Sequence, residues 1–210
     1  MTDIHNFWLF ALTGLLLNLT PGSDMLYIAT RSTGQGIKAG IVSALGVMGG
    51  CMIHIVAAVV GLSAVIGKSA VLFDIIKYLG AAYLIYLGIR SIISKKNNFH
   101  VPGKTTPQKL PAIFWQGVFI NALNPKVALF FLAFLPQFIN PASSHPHWQI
   151  LFLGIWFNVV GTVVNILVAI LFGKIGGWLS NSPGFIQWQN KITGTVLIAL
   201  GIKVALGARK

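Results

Sequence analysis

Two short motifs in this chain combine a residue that caps helices with a residue that breaks them. The motifs are Thr20-Pro21 and Asn124-Pro125. Proline lacks a backbone N–H and clashes with the preceding turn, so a helix ends before it and can restart at it. Thr and Asn are good N-caps, and here each stands directly before a proline suited to the first helical position. The sequence therefore predicts that a new helix begins at each proline.

Each predicted break carries one charged side chain. Asp24 lies shortly after Pro21 and Gly22, and Lys126 directly follows Pro125. A helix N-terminus has free N–H groups and a partial positive charge, and it attracts carboxylates. A zwitterionic amino acid presents one carboxylate, which two helix N-termini and Lys126 could bind, and one ammonium, which Asp24 could bind. The pattern thus predicts a small binding site for such a molecule.

Less specific interpretations of the same residues stay open. Asp24 and Lys126 could simply neutralise each other, or Asp24 could lie at a membrane interface and pair with Arg31. The two prolines could also be ordinary kinks whose free backbone groups are satisfied by neighbouring helices.

Several other polar residues are weaker candidates for the same site. Asn18 and Asn121 lie one turn or less before the two breaks, and His54 lies in the middle of an apolar run. Asn158 and Asn165 share one helix face, two turns apart. A lone His or Asn in a membrane helix is more often a contact between helices than a ligand-binding group.

Composition determines the kind of element that must position these residues. The chain has 210 residues, of which 55% are hydrophobic and only 9% charged, and its mean hydropathy is +0.79. Soluble domains carry about 25% charged residues, so the chain is predicted to be an all-α integral membrane protein in contact with lipid. Its net charge of +12 is scattered between apolar runs, which argues against a nucleic-acid partner.

The supply of reactive side chains argues against an enzyme. A single cysteine, Cys51, allows no internal disulfide and no cysteine zinc site. The chain has no Glu and only three Asp, which leaves little for acid–base catalysis or metal ligation. The five histidines are scattered, so we expect neither a metal site nor a cofactor.

Six apolar segments are long enough to be membrane helices, since a span needs about 20 residues. The first lacks the basic start and the cleavage site of a signal peptide, so it is interpreted as a mature helix. The segments are approximately 4–19 continuing at 25–29, then 39–66, 70–93, 112–138, 148–172 and 192–208.

An internal repeat organises these six segments into two halves. Residues 84–90 and 197–203 agree at five positions, and the last position exchanges Arg for Lys, at an offset of 113. The two Pro motifs repeat at an offset of 104. Because each half has three helices, an odd number, the two halves must have opposite orientations in the membrane. This predicts two inverted repeats related by an axis in the membrane plane, an architecture that is frequent in transporters. We interpret residues 1–210 as one transmembrane domain, with repeats at 1–93 and 111–210 joined by a cytoplasmic linker at 94–110.

The distribution of basic residues predicts the orientation of the chain. The first, third and fifth loops together hold eight Lys and Arg, whereas the opposite side holds five. Because basic loops stay in the cytoplasm, both termini are expected on the non-cytoplasmic side.

With these residues identified, the chain resembles the LysE/RhtB family of bacterial amino-acid exporters. The resemblance covers nearly the whole chain, and Ser23 departs from it by replacing the second proline of the usual Pro-Gly-Pro-Asp pattern. The similar stretches are Leu-Thr-Pro-Gly-Ser-Asp-Met-Leu-Tyr at 19–27, Tyr-Leu-Ile-Tyr-Leu-Gly at 83–88, Asn-Ala-Leu-Asn-Pro-Lys at 121–126, and Leu-Pro-Gln-Phe at 135–138.

The resemblance implies export of a small amino acid or derivative of the threonine, homoserine or leucine type across a bacterial inner membrane. It also implies coupling by proton antiport, and whether Asp24 would carry the proton or only bind the substrate ammonium stays open. An exporter or channel for another small solute or a metal ion is the alternative. The oligomeric state is likewise open, and a homo-oligomer is compatible with the sequence.

Overall fold

A computed structural model describes residues 4, 6–68, 70–93, 106–140, 143, 145–180 and 183–206. Over these residues the chain is helical and contains no strand. Most of the predicted linker, residues 94–105, lies outside them. The helices are α1 (Phe7–Leu19), α2 (Ser23–Gln35), α3 (Ile37–Lys68), α4 (Ala70–Ile93), α5 (Leu110–Ala122), α6 (Pro125–Leu129), α7 (Pro146–Ser180) and α8 (Pro183–Leu206).

The length and hydropathy of the helices identify the clearest membrane spans. Within the part of the chain that the structure describes, Ile37–Gly61 of α3 and Pro146–Gly176 of α7 are long and apolar enough to cross a membrane. The bent pair Leu110–Ala122 and Pro125–Phe138 would add a third span if it counts as one. The predicted number of six spans stays a prediction.

The connection between α1 and α2 differs from the sequence expectation. Thr20 does not cap a helix that starts at Pro21, because its backbone N–H and its hydroxyl both donate to the last carbonyls of α1. The Thr20 hydroxyl bonds the Leu16 carbonyl oxygen at 2.7 Å. Helix α2 begins at Ser23, after Gly22 in extended conformation. The prediction that Thr20 is the N-cap of the next helix was wrong, because its side chain bonds back to the end of α1 and the N-cap of α2 is Gly22.

The connection between α5 and α6 is a sharper turn. Asn124 is the N-cap of α6, its side-chain oxygen accepts from the Lys126 backbone N–H at 3.0 Å, and Pro125 occupies the first helical position. The two helices meet at 45°. Beyond α6 the chain continues as one π-helical turn at Phe130–Phe134 and a 3₁₀ turn at Leu135–Phe138.

Glycines allow close packing between helices. On α3, a Cβ at Gly46 would collide with the Phe114 backbone carbonyl of α5, and one at Gly50 would lie 2.5 Å from the Val118 carbonyl oxygen. Small residues therefore let the backbones of α3 and α5 approach each other. The turn from α2 to α3 uses Gly36 at φ 86°, a left-handed conformation that glycine adopts without strain.

Helices α4 and α8 contact each other through paired small residues. A Cβ on Gly88 would lie 2.6 Å from a side-chain carbon of Ile198 and 2.7 Å from the Gly194 carbonyl oxygen. A Cβ on Gly201 would lie 2.6 Å from a side-chain carbon of Ile85 and 2.8 Å from the Ala81 carbonyl oxygen. Adding 113 to the residue numbers of one set converts Gly88 to Gly201, Ile85 to Ile198 and Ala81 to Gly194, so the repeat offset exchanges the two sets of contacts.

An aromatic cluster buries the segment that follows α6 against α1 and α7. The stacked rings of Phe130 and Phe157 have centroids 4.4 Å apart, and Phe10 contacts both Phe130 and Phe138. These rings are almost fully buried. Their packing holds the irregular turns, and therefore the start of α6, close to the end of α1.

Candidate functional site

The two connections meet inside the helical bundle through the Asp24 carboxylate. Its Oδ2 accepts hydrogen bonds from Asn121 Nδ2 at 2.8 Å and from Asn124 Nδ2 at 2.9 Å. Asp24 is the second residue of α2, so the partial positive charge of that helix start also faces its own acid. The Asp24 carboxylate is half-buried, and such donors offset the cost of withdrawing a charge from water.

The Lys126 ammonium makes the opposite connection. Its Nζ donates to the carbonyl oxygens of Thr20 at 2.8 Å and Leu17 at 3.3 Å. These carbonyls belong to the last turn of α1, which carries the partial negative charge of a helix end. The base of the second half is therefore held by backbone of the first half, as the acid of the first half is held by amides of the second.

The acceptors of Lys126 and the donors to Asp24 occupy corresponding positions. Asn121 and Asn124 lie 104 residues after Leu17 and Thr20, which is also the offset between the two Pro motifs. Each charged side chain thus forms hydrogen bonds with the other half, and the two residues that it contacts there are equivalent under this offset.

The charged groups have direct hydrogen-bond partners other than those that the alternative interpretations proposed. The hydrogen bonds of Lys126 Nζ go to carbonyls rather than to the Asp24 carboxylate. Arg31 donates instead to side-chain oxygens of three glutamines, at 2.7–2.9 Å. Those glutamines are Gln35, Gln108 and Gln116.

A small cavity adjoins both charged residues. Its volume is about 30 Å³, which is enough for only one or two water molecules. A free amino acid cannot fit in this volume, so the site is closed in the conformation described here. Polar lining residues include Asn18, Thr20, Asp24, Asn121, Lys126, Asn158, Thr162 and Asn165.

The weaker candidates differ in their relation to this cavity. Asn18 donates to the Phe157 carbonyl oxygen at 3.4 Å, and Asn158 donates to the Met48 carbonyl oxygen at 3.3 Å. Both therefore line the cavity while joining helices. His54 does not line it, but its Nε2 lies 2.9 Å from the Asn121 carbonyl oxygen.

A wider and more open cavity lies against the same two connections. It has a volume of about 450 Å³, and Gly22, Pro21, Pro125 and Lys126 line it. Residues of α2, α4 and α8 also line it, and Arg90 of α4 is among them. Lys126 contributes to both cavities, so its side chain forms part of the partition between them.

Sequence reasoning missed the acceptors of Lys126, which are backbone atoms of Leu17 and Thr20. Every residue has a backbone carbonyl, so residue type does not indicate which carbonyl will accept a hydrogen bond from Lys126. The predicted end of α1 at this point does imply carbonyls without a partner in the helix. Asn121 was a weaker candidate, but no sequence pattern could indicate that its buried Oδ1 has no hydrogen-bond partner among the described residues.

The model of the LysE type translocator family matches residues 15–208. The chain belongs to this family. As a LysE type translocator it is assigned to a family of transport proteins rather than enzymes, and the resemblance inferred from the two Pro motifs is confirmed.

Curated relatives of this LysE type translocator align over most of their length. An uncharacterized membrane protein of Bacillus subtilis, YrhP, is 32% identical, over 97% of this chain and 100% of its own. The homoserine/homoserine lactone efflux protein of Salmonella typhimurium is 35% identical, over 94% of this chain and 96% of its own. The leucine efflux protein of the same organism is 31% identical, over 78% of this chain and 74% of its own. No solved structure matches this LysE type translocator.

Proposed function

We propose that this chain is a secondary transporter that exports small amino acids or their derivatives from the cytoplasm. The observation that carries the proposal is the reciprocal bonding of Asp24 and Lys126 across the two connections, beside a closed polar cavity. An acid and a base held close together, each by neutral partners, suit the ammonium and the carboxylate of one zwitterion.

The substrate class follows from the named relatives. Two of them are named for efflux of homoserine or homoserine lactone and of leucine, so we infer a substrate of the threonine, homoserine or leucine type. A bacterial inner membrane and six spans, with both termini non-cytoplasmic, complete the proposal. The apolar lengths of α3 and α7 support a location in a membrane.

We further propose that transport works by alternating access between two inverted repeats. Gly88 and Gly201 have equivalent neighbours at the repeat offset, which supports the repeat. The hydrogen bonds of Asp24 and Lys126 to corresponding positions of the other half support it as well. Because the small cavity cannot hold an amino acid, the halves must move relative to each other to admit one.

Proton antiport is the proposed coupling. Asp24 is the acid that lines the closed cavity, and protonation would weaken its hydrogen bonds from Asn121 and Asn124, because an ionised acceptor forms the stronger bonds. Whether Asp24 exchanges the proton or only binds substrate is decided by measuring efflux from vesicles with and without an imposed pH gradient.

The test measures intracellular and extracellular amino acids in bacterial cells with and without expression of the chain. Wild-type expression should lower the intracellular level of at least one small amino acid and raise its external level. Asp24→Asn and Lys126→Met should each abolish this effect, because each removes one of the two opposite charges at the site. Membrane insertion is checked by quantifying the protein in the membrane fraction.

Matched controls use the same substitutions away from the site. Asp74→Asn and Lys174→Met change the same charges on residues outside both cavities, and both variants should export normally. Normal efflux from Asp24→Asn and Lys126→Met would refute the site. A change in metal sensitivity with unchanged amino-acid levels would instead favour the alternative of a metal exporter.

A further inference from the structure

The Lys126 ammonium occupies an environment that would suit another primary ammonium equally well. Two carbonyl oxygens at the end of α1, those of Thr20 and Leu17, accept its hydrogen bonds at 2.8 and 3.3 Å. Such a pair of helix-end carbonyls attracts a cation that can donate hydrogen bonds. No feature of these acceptors requires that the ammonium belong to the protein.

A second observation points to a ligand at the same place. Asn121 is 3% exposed, and its Oδ1 lacks a hydrogen-bond partner among the residues that the structure describes. An unsatisfied buried acceptor costs about 1–3 kcal/mol, so such atoms in native structures call for an explanation. Asn121 and Lys126 line the same small cavity, together with Asp24. A cation placed there would find an acceptor already free.

We propose that the Thr20 and Leu17 carbonyl oxygens form the ammonium subsite of the transporter, that Lys126 fills this subsite when no substrate is bound, and that the free Asn121 Oδ1 accepts a further hydrogen bond from the bound substrate. The inference rests on the proposed function, since it takes the substrate to be an amino acid. Binding then exchanges one ammonium for another: the substrate's ammonium displaces that of Lys126, with the charge of Asp24 on the same cavity to balance it. The freed Lys126 pairs with the substrate's carboxylate.

This exchange links binding to opening of the site. In the state described here the cavity is about 30 Å³ and Lys126 is part of the partition between it and the wider cavity. Displacement of the Lys126 side chain enlarges the closed cavity at that partition. A substrate without an ammonium group cannot replace Lys126 at the carbonyls, so the exchange also selects amines.

The test uses ethylammonium as a probe and the thermal unfolding of the purified full-length chain in detergent at neutral pH as the measurement. In Lys126→Ala the carbonyls lose their ammonium, so ethylammonium should raise the unfolding temperature by a few degrees, because a ligand that binds only the folded state stabilises it. Wild type should show little change at the same concentration. Tetramethylammonium, which has no N–H to donate, should stabilise neither protein.

A second variant keeps Lys126 and is designed to weaken its hydrogen bonds to the two carbonyls. A Cβ on Gly22 would lie 3.3 Å from Lys126 Nζ and 3.6 Å from its Cε, and the extended backbone at Gly22 accepts alanine. Gly22→Ala should therefore shift the tethered Lys126 ammonium by a few tenths of an ångström, whereas a free ammonium ion can move away from the methyl group while keeping its hydrogen bonds. Ethylammonium should stabilise this variant at a concentration at least threefold lower than wild type requires.

The outcomes separate this inference from the proposed function. Equal responses of wild type, Lys126→Ala and Gly22→Ala to ethylammonium would overturn the subsite, even where cells export amino acids normally. If Lys126→Ala does not fold, the ratio between Gly22→Ala and wild type decides by itself. Selective stabilisation of the variants supports the subsite, whereas lack of efflux of any amino acid by wild type in cells counts against the proposed function alone.

Discussion

At the scale of residues, the site depends on partners of two kinds. Asp24 is held by side-chain amides, so the identities of Asn121 and Asn124 matter directly. Lys126 is held by backbone carbonyls of Leu17 and Thr20, which every residue type possesses. Substitutions at these two kinds of position should therefore have very different effects on transport.

Replacement of Thr20 by valine tests this difference. The Thr20 hydroxyl bonds only within α1, to the Leu16 carbonyl oxygen, whereas the Thr20 carbonyl oxygen binds Lys126. Valine keeps the shape and suits the extended backbone at this position. Thr20→Val should lower the free energy of unfolding by about 1 kcal/mol and keep amino-acid efflux within about twofold of wild type. A complete loss of efflux would mean that the hydroxyl itself binds substrate.

The charged residues of the candidate site could be predicted from the sequence, but their hydrogen-bond partners could not. Asp24 and Lys126 stand out because each is a charged residue at a predicted break within an apolar segment, where a charge is costly. Which atoms they contact depends on where two distant turns meet, and no local pattern encodes that. The cap at Thr20 failed for a related reason, since a threonine side chain can bond backward into one helix as well as forward into the next.

At the scale of elements, close approach of backbones determines how the helices are arranged. Helix α3 presents Gly46 and Gly50 to the backbone of α5, while Gly61 further along the same helix has no atom within 4 Å of an added Cβ. Glycines that look alike in the sequence therefore have different tasks. The Gly-x-x-x-Gly spacing at 46 and 50 is typical of the packed kind.

Two alanine substitutions on α3 separate these tasks. Gly46→Ala would drive a methyl group into the Phe114 carbonyl of α5, which should cost about 1–3 kcal/mol and lower the unfolding temperature by several degrees. Gly61→Ala meets open space and gains helix propensity, worth up to about 1 kcal/mol. Thermal unfolding in detergent compares the two variants. Equal destabilisation would show that helix packing does not distinguish these positions.

The irregular elements were the least predictable part of the fold. The long apolar spans of α3 and α7 follow from hydropathy alone, and their predicted ranges lie inside the observed helices. The π-helical turn at Phe130–Phe134 and the 3₁₀ turn after it depend on how Phe130 stacks against Phe157 of α7. That contact joins residues far apart in the chain, so no local periodicity could indicate it.

At the scale of the whole molecule, the repeat offset converts contacts of one half into contacts of the other. A Cβ added to Gly88 would lie 2.6 Å from a side-chain carbon of Ile198, and one added to Gly201 would lie at the same distance from a side-chain carbon of Ile85. If the halves are inverted repeats, corresponding substitutions should have equal costs. Gly88→Ala and Gly201→Ala should then lower the unfolding temperature by similar amounts. A large effect of one and none of the other would contradict a symmetric α4–α8 contact.

The orientation of the two halves can be tested on exposed residues between helices. Thr106 precedes α5 and His145 precedes α7, and both side chains are exposed. With basic loops in the cytoplasm, residue 106 faces inward and residue 145 outward. The starting protein is Cys51→Ser, because Cys51 is the sole cysteine of the chain and is buried.

A membrane-impermeant maleimide should then label His145→Cys in intact cells and label Thr106→Cys only after the cells are opened. Labelling of both variants in denatured protein verifies that each thiol is reactive. The reverse pattern would place the termini in the cytoplasm. It would also turn the wider cavity beside Arg90 towards the outside, because Arg90 belongs to the end of α4 that leads into the basic linker. Labelling of both positions from the same side would show that the bent α5–α6 pair does not cross the membrane. That result would contradict the inverted arrangement on which alternating access depends.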